Sequence, residues 1–123
     1  MEQRRAPVAV VDLLALVGRS DERGPLWTHQ SADLNVNLMA LDVGQEIAAS
    51  VNAEVDVLLV GTAGAGVVEV DGEPLALAAG QAMIVPKGTR RAIRSAGGRF
   101  AYLTCHRRRA GLWPRNAPRP AAE

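Results

Sequence analysis

An all-β fold of two antiparallel sheets closing into a jelly-roll barrel, with a short N-terminal helix and a C-terminal arm, is the fold class this sequence predicts. Three observations carry it. Roughly eight short apolar runs follow one another after Pro25, each ended by glycine or a polar turn. Several of these runs alternate with a period of two. The dipeptide Asp71-Gly72 stands between two of them, the preferred loop of a two-residue type I′ hairpin. With 123 residues, the chain is long enough for one domain with its own core. Its expected organisation is a helix and linker over 1–24, the barrel with its arm over 25–113, and a disordered tail over 114–123.

The helix comes first. Val10, Leu13, Leu14 and Val17 follow the i, i+3, i+4, i+7 spacing of one helical face, which predicts a helix over 8–17. Pro7 suits a first turn, and Gly18 supplies a stop. About ten residues are marginal as an isolated helix, so this one has to dock on something larger. The segment Ser20 to Pro25 reads as a polar turn.

The strands follow. Leu34, Val36, Leu38 and Ala40 alternate with Asn35, Asn37, Met39 and Leu41. Val55 to Val60 is a β-branched run ended by Gly61, and Val67 to Val70 leads into the hairpin turn, with Leu75 and Leu77 on the return strand. Met83 to Val85 precedes the turn Pro86-Lys87-Gly88, and the last strands run from Arg91 to Arg94 and from Phe100 to His106. Beyond Trp113 no apolar period survives among the prolines and arginines, which is the pattern of a disordered tail. Leu112-Trp113-Pro114 forms an apolar arm able to fold back on the barrel.

Composition narrows the function classes. No apolar run approaches the 18 residues of a membrane helix, and Met1-Glu2-Gln3-Arg4-Arg5 opens no signal-like stretch, so no membrane partner is expected. Cys105 is the single cysteine, which excludes an internal disulfide and fits a reducing cytoplasm. Its place in an apolar strand reads as a buried inert thiol. The net charge of +1 conceals an asymmetry: residues 1–86 carry 12 acids against 4 bases, and residues 87–123 carry 10 bases against one acid. Arg107, Arg108, Arg109, Arg115 and Arg119 nevertheless lack interleaved aromatics and any nucleic-acid motif, so no nucleic-acid partner is expected. The run Gly61-Thr62-Ala63-Gly64-Ala65-Gly66 precedes a strand, whereas a phosphate loop must open a helix.

Gly80, then Pro86 after five residues, then Gly88, reproduce without a gap the framework of the second sequence motif of the cupins. Over residues 34 to 106 the chain resembles a small single-domain cupin of the double-stranded β-helix type. That resemblance implies the barrel, a homodimer and a site at one barrel end. Cupin metal sites use imidazoles and a carboxylate to hold iron, manganese, nickel, copper or zinc. Counting from Gly44, the two histidine positions of the first motif fall on Ser50 and Asn52, the glutamate on Asp56, and the closing glycine on Ala63. The second motif's histidine is replaced by Arg91 and its asparagine by Ser95. Hydroxyl and neutral amide are poor ligands for these metals, and a permanently charged guanidinium repels a cation. The replacement argues against the family's usual metal, and no cofactor is expected.

If these positions point into the barrel, Ser50, Asn52, Asp56 and Arg91 line a small-molecule pocket, with Arg91 suited to a carboxylate or phosphate. Asp56 and Arg91 alternatively neutralise each other as an internal ion pair. Asn35 and Asn37 share one strand face and require a reason there, because asparagine is disfavoured in strands; a pocket mouth or a solvated face supplies one. Of the two histidines, His29 precedes the strand region, and His106 ends the last strand and is the one placed to reach the cavity. The resulting expectation is a protein that binds a small, anionic organic ligand. Its alternatives are a metal-independent isomerase, epimerase or cyclase using Asp56 or His106 as the proton carrier, and an oxygenase-like metal enzyme with an atypical ligand set.

Overall fold

The computed structural model describes residues 8–19 and 21–108. The expected arm at Leu112-Trp113-Pro114 and the tail over 114–123 lie outside them. Helix α1 spans Leu13–Arg19, shorter and later than the apolar spacing predicts. Asp12 decides where it starts. Its Oδ1 accepts the N–H of Ala15 at 3.0 Å, capping the first turn, while Val8 and Val10 stay exposed upstream. Gly18 lies inside the helix rather than after it. Docking is on the sheet, against β1 (Gly24–Gln30) and β4 (Val57–Ala63).

The remaining strands are β2 (Leu34–Leu41), β3 (Glu46–Val51), β5 (Ala65–Val70) and β6 (Glu73–Ala78). They are followed by β7 (Ala82–Val85), β8 (Arg90–Ser95) and β9 (Phe100–Arg107). Asp71 and Gly72, with φ of 50° and 84°, form the two-residue turn between β5 and β6, where Val70 pairs with Glu73. Two strands, β1 and β3, carry no clean alternation in sequence. β3 is almost wholly exposed along its length and is held by antiparallel pairing with β8.

The strands form two sheets, in the orders β1-β2-β9-β4-β7 and β3-β8-β5-β6. This corrects the expected closed barrel. Among the described residues no ladder joins one sheet to the other, so β1, β7, β3 and β6 are all edges there, and the fold is an open two-sheet sandwich. Sheets packed through their side chains stand roughly 10 Å apart, about twice the spacing at which strands exchange hydrogen bonds. Crossing between the sheets is left to connections. In the turn joining β6 to β7, Gly80 N–H donates to the carbonyl of Gly61 and Gly61 N–H to that of Gln81, both at 2.8 Å, a local stitch rather than a strand pairing.

Between the sheets lies the core: Leu41, Val57, Leu59, Val68, Leu77, Val85, Ile93, Phe100 and Tyr102. Phe100 of β9 lies flat against Gly66 of β5, where any Cβ would fall inside the ring's contact distance. Leu38, Ala40 and Ala101 have the opposite parity and are also fully buried, so the middle of the five-stranded sheet is covered on both faces.

Candidate functional site

Strand parity carries the inner face of the five-stranded sheet from an apolar half into a polar half. On β9 the inward residues run Phe100, Tyr102, Thr104, His106. On β2 their partners are Leu41, Met39, Asn37 and Asn35. β4 adds Leu59 opposite Thr104 and Val57 opposite His106, and β1 adds Thr28 opposite Asn37. Asn35, Asn37 and His106 are therefore brought to one face, although 69 residues or more of chain separate the asparagines from the histidine on counting positions.

Hydrogen bonds hold this row in place. Thr28 donates from Oγ1 to Asn37 Oδ1 at 2.9 Å. Asn37 Nδ2 donates to Asn35 Oδ1 at 3.4 Å and to Thr104 Oγ1 at 3.3 Å. The presence of two asparagines in the strand is thereby explained: they are cross-linked by side-chain bonds rather than solvated separately. His106 Nδ1 lies 2.9 Å from the carbonyl of Arg107, which places the proton on Nδ1 and leaves Nε2 as an acceptor.

Arg91 comes from the other sheet. On β8 it shares the face of Ile93, a core residue, and its cross-strand partners are Ser50 on β3 and Val70 on β5. That parity turns the side chain toward the space between the sheets, where its charge lowers the Tyr102 phenol of β9. Tyr102 is 2% exposed, and burial pushes its phenol up to about 12, an effect that the Arg91 charge partly offsets. Arg94 and Arg99, by contrast, are paired with Glu69 at 3.4 Å and Asp42 at 3.3 Å. Among the described residues no carboxylate lies within ion-pair distance of Arg91.

Two of the residues singled out in the sequence are placed elsewhere. Asp56 is exposed, and its Oδ1 accepts the N–H of Lys87 at 2.9 Å, bracing the Pro86-Lys87-Gly88 turn from outside. It forms no ion pair with Arg91, because Val55 and Val57 on either side both turn inward and the two-residue alternation therefore points Asp56 outward. Asn52 is buried, but its Oδ1 is occupied by the N–H groups of Glu54 and Val55, at 3.0 and 3.3 Å, and its carbonyl by Gly88 N–H. Sequence reasoning passed over Tyr102, Thr104 and Thr28. The first two stand four and two residues before His106, so parity counted back from the histidine would have found them. Thr28 lies on β1, for which no alternation gave a register.

No protein-family model matches the chain, and no curated protein matches it. Solved structures do. Protein TT1209 of Thermus thermophilus is similar at 26% identity over 82% of this chain and 98% of its own, with a TM-score of 0.69. A cupin protein from Bacteroides fragilis matches 69% of this chain and 73% of its own at 20% identity, with a TM-score of 0.58. A cupin-2 domain protein from Shewanella frigidimarina matches 80% and 95% at 15% identity, with a TM-score of 0.66. The fold is of the cupin type.

The cupin motif positions hold Ser50, Asn52, Asp56 and Arg91 in place of the usual metal-binding histidines and glutamate. These residues do not fit a cupin metal ion. Asn52 and Asp56 are committed to backbone N–H groups, and a guanidinium stands where an imidazole would be. Among the described residues no three His, Cys, Asp or Glu side chains gather. Arg91 shares the face of the core residue Ile93 on β8.

Proposed function

We propose that this cupin binds a small organic anion in the polar half of its inter-sheet space, with Arg91 as the anchor. One observation carries the reading: Arg91 is half-buried on the face of β8 that carries the core residue Ile93, and has no carboxylate partner among the described residues. A charge withdrawn from water without a partner is costly, and a ligand carboxylate removes that cost through two parallel hydrogen bonds. Asn35, Thr104 and the Tyr102 hydroxyl extend the polar lining, while Met39, Leu59 and Met83 form the apolar wall beside it. Apolar walls with a few placed polar groups are the usual make-up of a small-molecule site.

Charge-assisted hydrogen bonds of this kind contribute roughly 1.5–3 kcal/mol, or about 10- to 150-fold in affinity. Titration of the protein with small carboxylates, followed by NMR shifts of the backbone amides, tests the proposal. Saturable shifts on β2, β8 and β9 are expected, lost in Arg91→Ala while its circular dichroism stays that of the parent. Binding that survives this substitution unchanged rejects Arg91 as the anchor.

A further inference from the structure

Resting on that anion-binding reading, we propose that the ligand is a 2-oxo monocarboxylate: one carboxylate beside a carbonyl oxygen that accepts hydrogen bonds and brings no proton. The donor and acceptor inventory of the site leads to it. Asn37 is the hub of the polar row, with its amide hydrogens spent on Asn35 Oδ1 and Thr104 Oγ1 and its oxygen accepting from Thr28. These bonds settle what its neighbours have left. Asn35 has used its oxygen and keeps its Nδ2 hydrogens. Thr104 has used its oxygen as an acceptor and keeps its hydroxyl proton. The phenol of Tyr102 is held protonated by burial and finds no acceptor among the described residues. Together with the guanidinium of Arg91, these groups present protons rather than lone pairs.

None of these donors is both buried and unsatisfied, so each stays open to a ligand that supplies acceptors. A ligand hydroxyl does so poorly, because each hydroxyl brings a proton of its own. On the inner face His106 Nε2 and the Ser50 hydroxyl are the acceptors available for such protons. Charge sets the other half of the specification. Arg94 and Arg99 are paired, and Arg90, Arg107 and Arg108 are exposed, so among the described residues Arg91 is the inward guanidinium that a ligand meets. One such cation matches one carboxylate, and the second acceptor is therefore a neutral carbonyl.

The test uses three anions of nearly equal size: pyruvate, lactate and propanoate, which carry a carbonyl, a hydroxyl and neither beside the carboxylate. NMR titration of the whole chain gives each dissociation constant. Pyruvate is expected to bind about tenfold tighter than either of the others, from one or two net hydrogen bonds. Thr104→Val and Tyr102→Phe, each removing one donor at near-constant volume, are expected to shrink the pyruvate preference toward unity. Either variant suffices if the other fails to fold. Lactate binding as tightly as pyruvate overturns the 2-oxo assignment and leaves anion binding intact. Failure of all three to bind, or binding indifferent to Arg91→Ala, overturns both.

Discussion

Arg91 and Tyr102 belong to opposite sheets, and the guanidinium of one acts on the buried phenol of the other. The phenol is raised to about 12 by burial, against the ordinary value of 10.0. Folding therefore favours the protonated form, and its contribution to stability is complete below pH 10. Between pH 10 and 12 the unfolded chain loses this proton first, so the contribution falls as pH rises, by roughly 2–3 kcal/mol over the interval. Tyr102 is the single tyrosine, so its tyrosinate absorbance reports this titration alone. Urea midpoints at pH 9 and 11 check the linkage: the loss with pH is expected to shrink in Tyr102→Phe, and an equal loss there argues against it.

Phe100 meets Gly66 closely across the two sheets. A Cβ at Gly66 would lie 2.8 Å from the ring's Cζ and closer still to its neighbours. Gly66→Ala is expected to destabilise the fold by about 1–3 kcal/mol through overpacking, and Phe100→Ala by about 3–5 kcal/mol through the cavity it leaves. The pair should be strongly non-additive, since the smaller residue at 100 makes room for the methyl group. Denaturant melts of the double-mutant cycle measure this coupling, and simple additivity would count against the contact.

Asn52 closes the turn between β3 and β4, and its buried oxygen serves two N–H groups. Removing it in Asn52→Ala leaves both donors without their partner, at a cost of about 2–4 kcal/mol. Asn52→Asp retains the acceptor and is expected to lose less. Thermal melts of the two variants distinguish a turn role from a ligand role, because only the former predicts this order in the absence of any ligand.

Asp56 braces the Pro86-Lys87-Gly88 turn through one exposed hydrogen bond. Asp56→Asn keeps an acceptor oxygen and should change stability by less than about 0.5 kcal/mol, whereas Asp56→Ala should cost about 1 kcal/mol. Neither is expected to alter carboxylate affinity. A large fall in that affinity in Asp56→Asn would return this carboxylate to the site.

Local chemistry was legible in the sequence wherever a short-range rule governs it. Asp71-Gly72 adopts the left-handed pair its hairpin requires. Period-two parity put Asn35 with Asn37 before any strand partner was known. The Gly80, Pro86 and Gly88 spacing pointed to the cupin-type fold. The start of α1 was not legible from apolar spacing, because one carboxylate at Asp12 outweighs two exposed valines in setting a first turn.

Tertiary structure decided the rest. Whether two sheets close depends on how far their edges stand apart, and that distance is set by side chains packed between strands remote in sequence. Asp56 faces outward because the flanking valines are drawn into the core, a period-two parity that Val55-Asp56-Val57 already carried and that counting from Gly44 overrode. Asn52 is consumed by a turn that forms only when the 86–88 segment arrives beside it. The meeting of Arg91 with Tyr102, and of His106 with the asparagine row, depends on sheet order and register. Parity says which face of a strand a residue occupies; the long-range pairing of strands says what it faces.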